Sequence, residues 1–215
     1  VRIEYVFDTV CPWCYVGKRR LERALAQRPE TRPRIVWRPF LLNPDLPPEG
    51  IDRKLYLDRK FGGVARVQRV HAAVAAAGRG EGIEFDFESI ARMPNSLNSH
   101  RLIRYAGGTG RESEVVEALY QAYFTLGLDI GDLQVLADIG ASLGLEREQT
   151  LAYLSSDADT AGVLGDNARA HRLGVNGVPC LILEGSYALA GAQEPDILLR
   201  LIDIVREGQP EVALS

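Results

Sequence analysis

The sequence predicts an α/β fold whose small sheet is interrupted by a long all-helical insertion. An apolar run at 2–7, a helical pattern from Pro12 and a second apolar run at 34–41 open the chain. Strand patterning then disappears over 51–171, where apolar residues recur at helical spacing between glycines. Two short strand patterns and a closing helix follow Pro179.

The first strand, Arg2-Ile3-Glu4-Tyr5-Val6-Phe7, is rich in β-branched and aromatic residues. The helix at 12–27 starts with Pro12, which has no N–H to lose in a first turn and already carries a helical φ. The strand at 34–41 runs parallel to the first and completes a βαβ unit. Helices are expected at 52–61, 64–77, 96–105, 112–126, 132–143, 147–154 and 158–172. Strands at 181–184 and 187–190 flank Gly185-Ser186 as a hairpin, and 195–206 closes with a helix. The expected division is therefore an α/β domain of residues 1–48 and 172–215 around a helical domain of 49–171. Its hinges fall at 43–50, stiffened by Pro44, Pro47 and Pro48, and near Asp157.

With 215 residues, 46% of them hydrophobic and 25% charged, the chain can bury a substantial core. A net charge of -4 offers no broad positive field, so nucleic acid is excluded as an expected partner. Lys18-Arg19-Arg20 beside Glu22 reads as a solvated helix face. No stretch approaches the roughly 20 apolar residues of a membrane span. No charged start with an apolar signal core precedes the first strand, and three cysteines are too few for a disulfide scaffold, so the expected compartment is the cytoplasm. The chain opens on Val1 rather than Met, which leaves a removed leader open.

Cys11-Pro12-Trp13-Cys14, set between strand and helix, carries the chemistry. Two intervening residues let both sulfurs meet across one helical turn. Cys11 falls at the helix N-terminus, where free N–H groups and the macrodipole favour a thiolate, and so reads as the nucleophile. Cys14, one turn deeper, reads as the resolving thiol. A zinc site would need further ligands, yet the other candidates are Cys180 and the scattered His71, His100 and His171, so no metal is expected. Far along the chain, Pro179 stands at the mouth of an apolar strand, which a cis Val178–Pro179 bond would accommodate.

A CPxC at a helix start with a late Gly177-Val178-Pro179 strand resembles the thioredoxin superfamily, and its DsbA-like branch in particular. The blocks Phe7-Asp8-Thr9-Val10-Cys11-Pro12-Trp13-Cys14-Tyr15-Val16-Gly17-Lys18, Phe40-Leu41-Leu42-Asn43-Pro44, Pro94 to Leu102, Asp129 to Asp132 and Gly191-Ala192-Gln193 are similar to FrnE-like members of that branch. The resemblance implies a thioredoxin fold with an inserted helical domain and a thiol–disulfide oxidoreductase acting on protein or small-molecule thiols. It implies no cofactor beyond the Cys11–Cys14 disulfide, with glutathione as a candidate co-substrate. Pro179 would lie against the cysteine pair, with Pro12, Trp13 and the Val178 backbone meeting the substrate.

Against that pattern, Trp13 replaces the histidine of the archetype, and Tyr5 stands where thioredoxins carry a buried acid, six residues before the first cysteine. Asp8 and Lys18 are the nearest ionisable groups, both read as exposed. His100, near Asn98 in a segment that faces the active site in the resembling family, is a packing or capping residue that could also relay a proton. His71 reads as helix surface or packing, and Cys180 as a small buried hydrophobe that could instead turn towards Cys11. The layout also resembles kappa-class glutathione transferases and 2-hydroxychromene-2-carboxylate isomerases, which typically have serine at the position of Cys11. A glutathione-dependent transferase or isomerase is thus the alternative, and a binding module with a redox switch has no positive support.

Overall fold

A computed structural model describes residues 1–208, so residues 209–215 of the expected α/β domain lie outside the described residues. β1 (Arg2–Phe7) is the axis of the fold. Its alternation sends Ile3, Tyr5 and Phe7 to one face, in the main core, and Val6 to the other. β2 (Arg34–Pro39) pairs parallel with β1, as the βαβ reading requires. β5 (Cys180–Leu183) pairs antiparallel with the other edge of β1, and β6 (Tyr187–Ala190) extends it, giving the order β2-β1-β5-β6. The hairpin turn carries positive φ at Glu184 (49°) and Gly185 (69°).

On the Tyr5 face lie α1 (Pro12–Ala26) and α9 (Pro195–Glu207). The rest of that core comes from the segment between the strands. β3 (Ile51–Asp52), α2 (Arg53–Phe61), α3 (Val64–Gly80), β4 (Arg92–Met93), α4 (Leu97–Ala106), α5 (Glu112–Phe124), α6 (Leu133–Ser142) and α7 (Arg147–Ser155) follow in order. α8 (Thr160–Arg172) returns to the opposite face of the sheet, where Ala170 joins Val6, Phe40, Val175, Cys180 and Ile182. The main core is continuous from Ile3 and Leu183 on the strands to Tyr120 and Phe124 on α5, so helices and sheet share one packed interior.

Three expectations need correction. β2 stops at Pro39 rather than 41, because the N–H of Leu41 goes to Asn167 Oδ1 and that of Leu42 to Asp8 Oδ2. The helical segment also contains a two-strand ribbon, Ile51 opposite Met93 and Asp52 opposite Arg92, too short to leave a period in the sequence. Lys18-Arg19-Arg20 is not a solvated face. Lys18 is buried, with Nζ 2.6 Å from both Glu22 Oε1 and Glu117 Oε2, while Arg19 meets Glu117 at 2.6 Å and Arg20 meets Glu194 at 2.6 Å. Neighbouring elements deliver the acids to α1. Burial works against the Glu117 carboxylate, but Lys18, Tyr15 and Arg19 together hold it below the usual range.

The second face of β1 holds a charge. Glu4 is 1% exposed and meets Arg2 at 2.7 Å, Arg38 at 3.1 Å and Arg169 at 2.7 Å. Burial opposes its ionisation, yet the Arg169 hydrogen bond and the charges of Arg38, Arg169 and Arg2 outweigh it and lower its pKa. A lowered native pKa contributes stability that is complete above the ordinary glutamate value of 4.5 and is lost as pH falls through the native value. Glu4→Gln should therefore cost about 3 kcal/mol at neutral pH. Urea titrations across the acid range should show a shallower loss of stability in the variant than in the wild type, and parallel curves would disprove the role.

Candidate active site

β1 ends at Phe7 and the chain turns through Asp8, Thr9 and Val10, with the N–H of Cys11 donating to Asp8 O at 3.1 Å. Cys11 then caps α1 with extended φ and ψ (-96°, 111°), Pro12 occupies the first helical position, and the N–H of Cys14 closes the turn on Cys11 O at 3.0 Å. The three cysteines are unlinked thiols. Cys11 keeps 6% exposure and Cys14 none. Burial first, then the hydrogen bond and charge of Cys11, push the Cys14 thiol well above the ordinary range; a backbone hydrogen bond from Asp8 works the other way, and the Asp8 carboxylate adds to the rise.

The other chain segments arrive from both sides. The Val178–Pro179 peptide is cis, and the Cys11 thiol donates to Val178 O at 3.7 Å. Tyr5 OH donates to Cys14 O at 2.7 Å, so the residue standing in for the thioredoxin acid supports the helix backbone. Burial pushes this phenol far up. On the open side, Cys11, Pro12 and Trp13 border a cavity of about 170 Å³ whose far wall includes Tyr56, Phe87 and Met93. The structure thus brings Cys11, Cys14, Pro12, Trp13, Val178 and Pro179 into one place, with Val178 on the opposite side of Cys11 from the cavity.

Asp8 and Lys18 were expected at the surface and are buried, 0% and 3% exposed. The turn after β1 tucks Asp8 under the Leu42 N–H, and α5 covers Lys18. His100 is buried too, edge-on to Phe7 with ring centres 5.1 Å apart and with Nε2 3.4 Å from Asp8 Oδ1. Asn98 instead accepts from Arg101 at 2.8 Å on its own helix. His71 stacks on Phe87 at 4.2 Å and borders the cavity; burial, then the Arg53 charge, lowers its pKa. Cys180 points to the α8 face, away from the redox pair, as a buried hydrophobe. Sequence reasoning missed Arg53 and Lys60, which reach the cavity from α2; their spacing along one helix face was the available signal. Arg53 is 7% exposed, bonds Phe87 O and His71, and keeps Nε without a partner. Among the described residues no group of three or more metal-ligating side chains comes together, and no helix is long and apolar enough to cross a membrane.

A strand–CXXC–helix unit facing a late Val-Pro loop defines a thioredoxin-type site. The chain belongs to the DSBA-like thioredoxin domain family, which residues 2–203 match. Among solved structures it is similar to a probable DsbA oxidoreductase from Streptomyces coelicolor, SCO1869, at 27% identity and a TM-score of 0.90, covering 100% of this chain and 93% of that one. The cytosolic disulfide reductase DsbM from Pseudomonas aeruginosa with GSH matches at 19% identity and a TM-score of 0.64, covering 96% of each chain. A 2-hydroxychromene-2-carboxylate isomerase matches at 19% identity and a TM-score of 0.71, covering 96% of this chain and 95% of that one. The last two establish likeness of fold.

Gly17 sets how closely α1 lies on the loop. A Cβ there would come 2.7 Å from Tyr5 OH and 3.0 Å from Pro179 Cγ, and neither the bonded phenol nor the ring can retreat freely. Gly17→Ala should lose about 2 kcal/mol, overpacking outweighing the better helix propensity of alanine. A urea midpoint equal to or above that of the wild type would show that the loop can yield.

Proposed function

We propose that the chain is a thiol–disulfide oxidoreductase in which Cys11 attacks and Cys14 resolves. The single observation that carries this reading is the unequal placing of two sulfurs one helical turn apart. Cys11 sits at the helix N-terminus on the cavity mouth, where a substrate sulfur can reach it, and Cys14 lies fully buried behind it. In the reducing direction the Cys11 thiolate attacks a substrate disulfide, forms the Cys11–substrate bond and expels one substrate thiol; Cys14 then attacks Cys11, and the second substrate thiol leaves. Reversal oxidises a dithiol. Pro179 closes the site against α1, and the Val178 backbone, with Pro12 and Trp13, meets the substrate.

Glutathione is the favoured small co-substrate. Arg53 and Lys60 bring positive charge to the cavity beside Cys11, suited to the carboxylates of such a thiol, and the similar DsbM structure holds GSH. The FrnE-like placement rests on the sequence blocks, the helical domain of 49–171 contributes the far wall of the cavity, and the cytoplasm is the compartment that suits a buried, unlinked Cys180 and a cytosolic relative.

Cys14→Ser should accumulate a mixed disulfide with a thiol substrate, and Cys11→Ser should accumulate none, both readable by mass spectrometry under non-reducing conditions. Equal trapping by the two variants would reverse or abolish the assignment. The likeness to the isomerase keeps a glutathione-dependent transferase or isomerase as the second reading. That chemistry needs no second sulfur, so conjugation or isomerisation surviving in Cys14→Ala, with no disulfide exchange by the wild type, would select it.

A further inference from the structure

Resolution leaves a proton to be placed. Cys14–S forms the new bond to Cys11, the Cys11–substrate bond breaks with its electron pair on the departing sulfur, and the Cys14 thiol proton must leave the sulfur that attacks. Cys14 has no exposure of its own. Tyr5, at the position of the thioredoxin acid, is a buried phenol committed to Cys14 O. Tyr120, the other phenol near this sulfur, is also fully buried and lies 3.4 Å from Asp8 O.

Asp8 touches Cys14 through its backbone and has two differently placed oxygens. Oδ2 accepts the Leu42 N–H at 2.7 Å and anchors the loop. Oδ1 receives only a long 3.5 Å contact from Val10 N and faces His100 Nε2 at 3.4 Å. That nitrogen is buried, too far off axis for a hydrogen bond to Asp8, and without another partner among the described residues. The same imidazole borders a cleft of about 420 Å³ beside β2, a different opening from the cavity at Cys11. The charged groups around it are Asp8 on the sulfur side and, in the cleft, Arg34, Arg38, Arg104, Glu112 and Asp166. Asp166 pairs with both Arg38 and Arg104, leaving these charges largely balanced.

We propose that Asp8 and His100 form the proton outlet of Cys14, Asp8 taking the thiol proton as Cys14 attacks and His100 passing it to the cleft beside β2. The inference rests on the thiol–disulfide reading. It lets resolution proceed while a substrate covers the Cys11 side, and imidazole suits the transfer because its protonation changes near neutral pH. His100 acts through Asp8 and is a positioning residue for the step.

The test is oxidation of the reduced full chain by excess dithiobis(nitrobenzoate). Capture by Cys11 releases one coloured thiolate; resolution by Cys14 releases a second, together with the proton in question. In His100→Gln and Asp8→Asn the ratio of second-phase to first-phase rate should fall about a hundred-fold at neutral pH, the low end of general acid–base assistance. The second phase should level off with rising pH in the wild type and keep rising in both variants, where hydroxide must do the work. Imidazole added to His100→Ala should restore part of the second phase. Asparagine keeps an acceptor for the Leu42 N–H, and if Asp8→Asn fails to fold, His100→Gln and the rescue decide. A rate ratio and pH profile like those of the wild type in folded His100→Gln, without rescue of His100→Ala, overturns the outlet. A wild type that releases no second thiolate overturns the oxidoreductase reading itself.

Discussion

Because successive side chains of β1 point to opposite faces, burying Tyr5 and Phe7 against the helices of the main core forces Glu4 and Val6 onto the face of α8, and a slip of one residue would exchange the two sets. The rest of the structure follows from that assignment. Glu4 can be tolerated in a buried strand only because Arg38 comes from the neighbouring strand and Arg169 from α8. The pairing of Val6 with Cys180 carries the same choice into β5, so the third cysteine lands on the face opposite the redox pair. Tyr5, held on the α1 face, then reaches Cys14 O and fixes the depth of the helix that bears both sulfurs.

Depth does most of the electrostatic work at the site. The same helical turn leaves Cys11 with slight exposure and Cys14 with none, and burial heads the causes that keep Cys14 a thiol. Buried phenols at Tyr5 and Tyr120 are held protonated by the same dry surroundings. Lys18, one turn past Cys14, could have countered this with a cation, but Glu22 and Glu117 draw its ammonium towards α5. Charges introduced by the helices are spent on holding α1 in place, and the sulfurs are left to the helix terminus, the Asp8 backbone and Val178 O.

Strands, the opening helix, the hairpin and the redox motif were legible because each rests on local chemistry: period-two alternation, Pro12 at a first turn, turn residues at 185 and 186, and cysteine spacing. The direction of Cys180 was not, since an all-apolar strand looks the same from either side until its register with β1 is known. Asp8 and Lys18 misled for a related reason. A single charged residue normally signals solvent, and only contacts at separations of 34 and 99 residues reveal Leu42 and Glu117 waiting in the interior. The β3–β4 ribbon escaped notice because two residues cannot show a period. The cavity wall escaped as well, because Arg53 and His71 look like ordinary helix residues until α2 and α3 fold back over Cys11.

A fold shared with a disulfide reductase and with an isomerase cannot itself select the chemistry. In this chain the selection lies in what is attached at three depths along one line. The cavity offers Arg53 and Lys60 to an anionic small thiol and would serve either reaction. At its mouth stands a sulfur capping α1, a better nucleophile for disulfides than a hydroxyl would be. Behind it lies Cys14, buried among groups that act on its proton, and a transferase or isomerase has no use for such a thiol. Maintaining a buried thiol beside a buried carboxylate and an unsatisfied imidazole is unfavourable by ordinary packing standards. Their concentration behind Cys11, in a core otherwise filled with aromatic and aliphatic side chains, is the physical argument that the second sulfur takes part in the reaction.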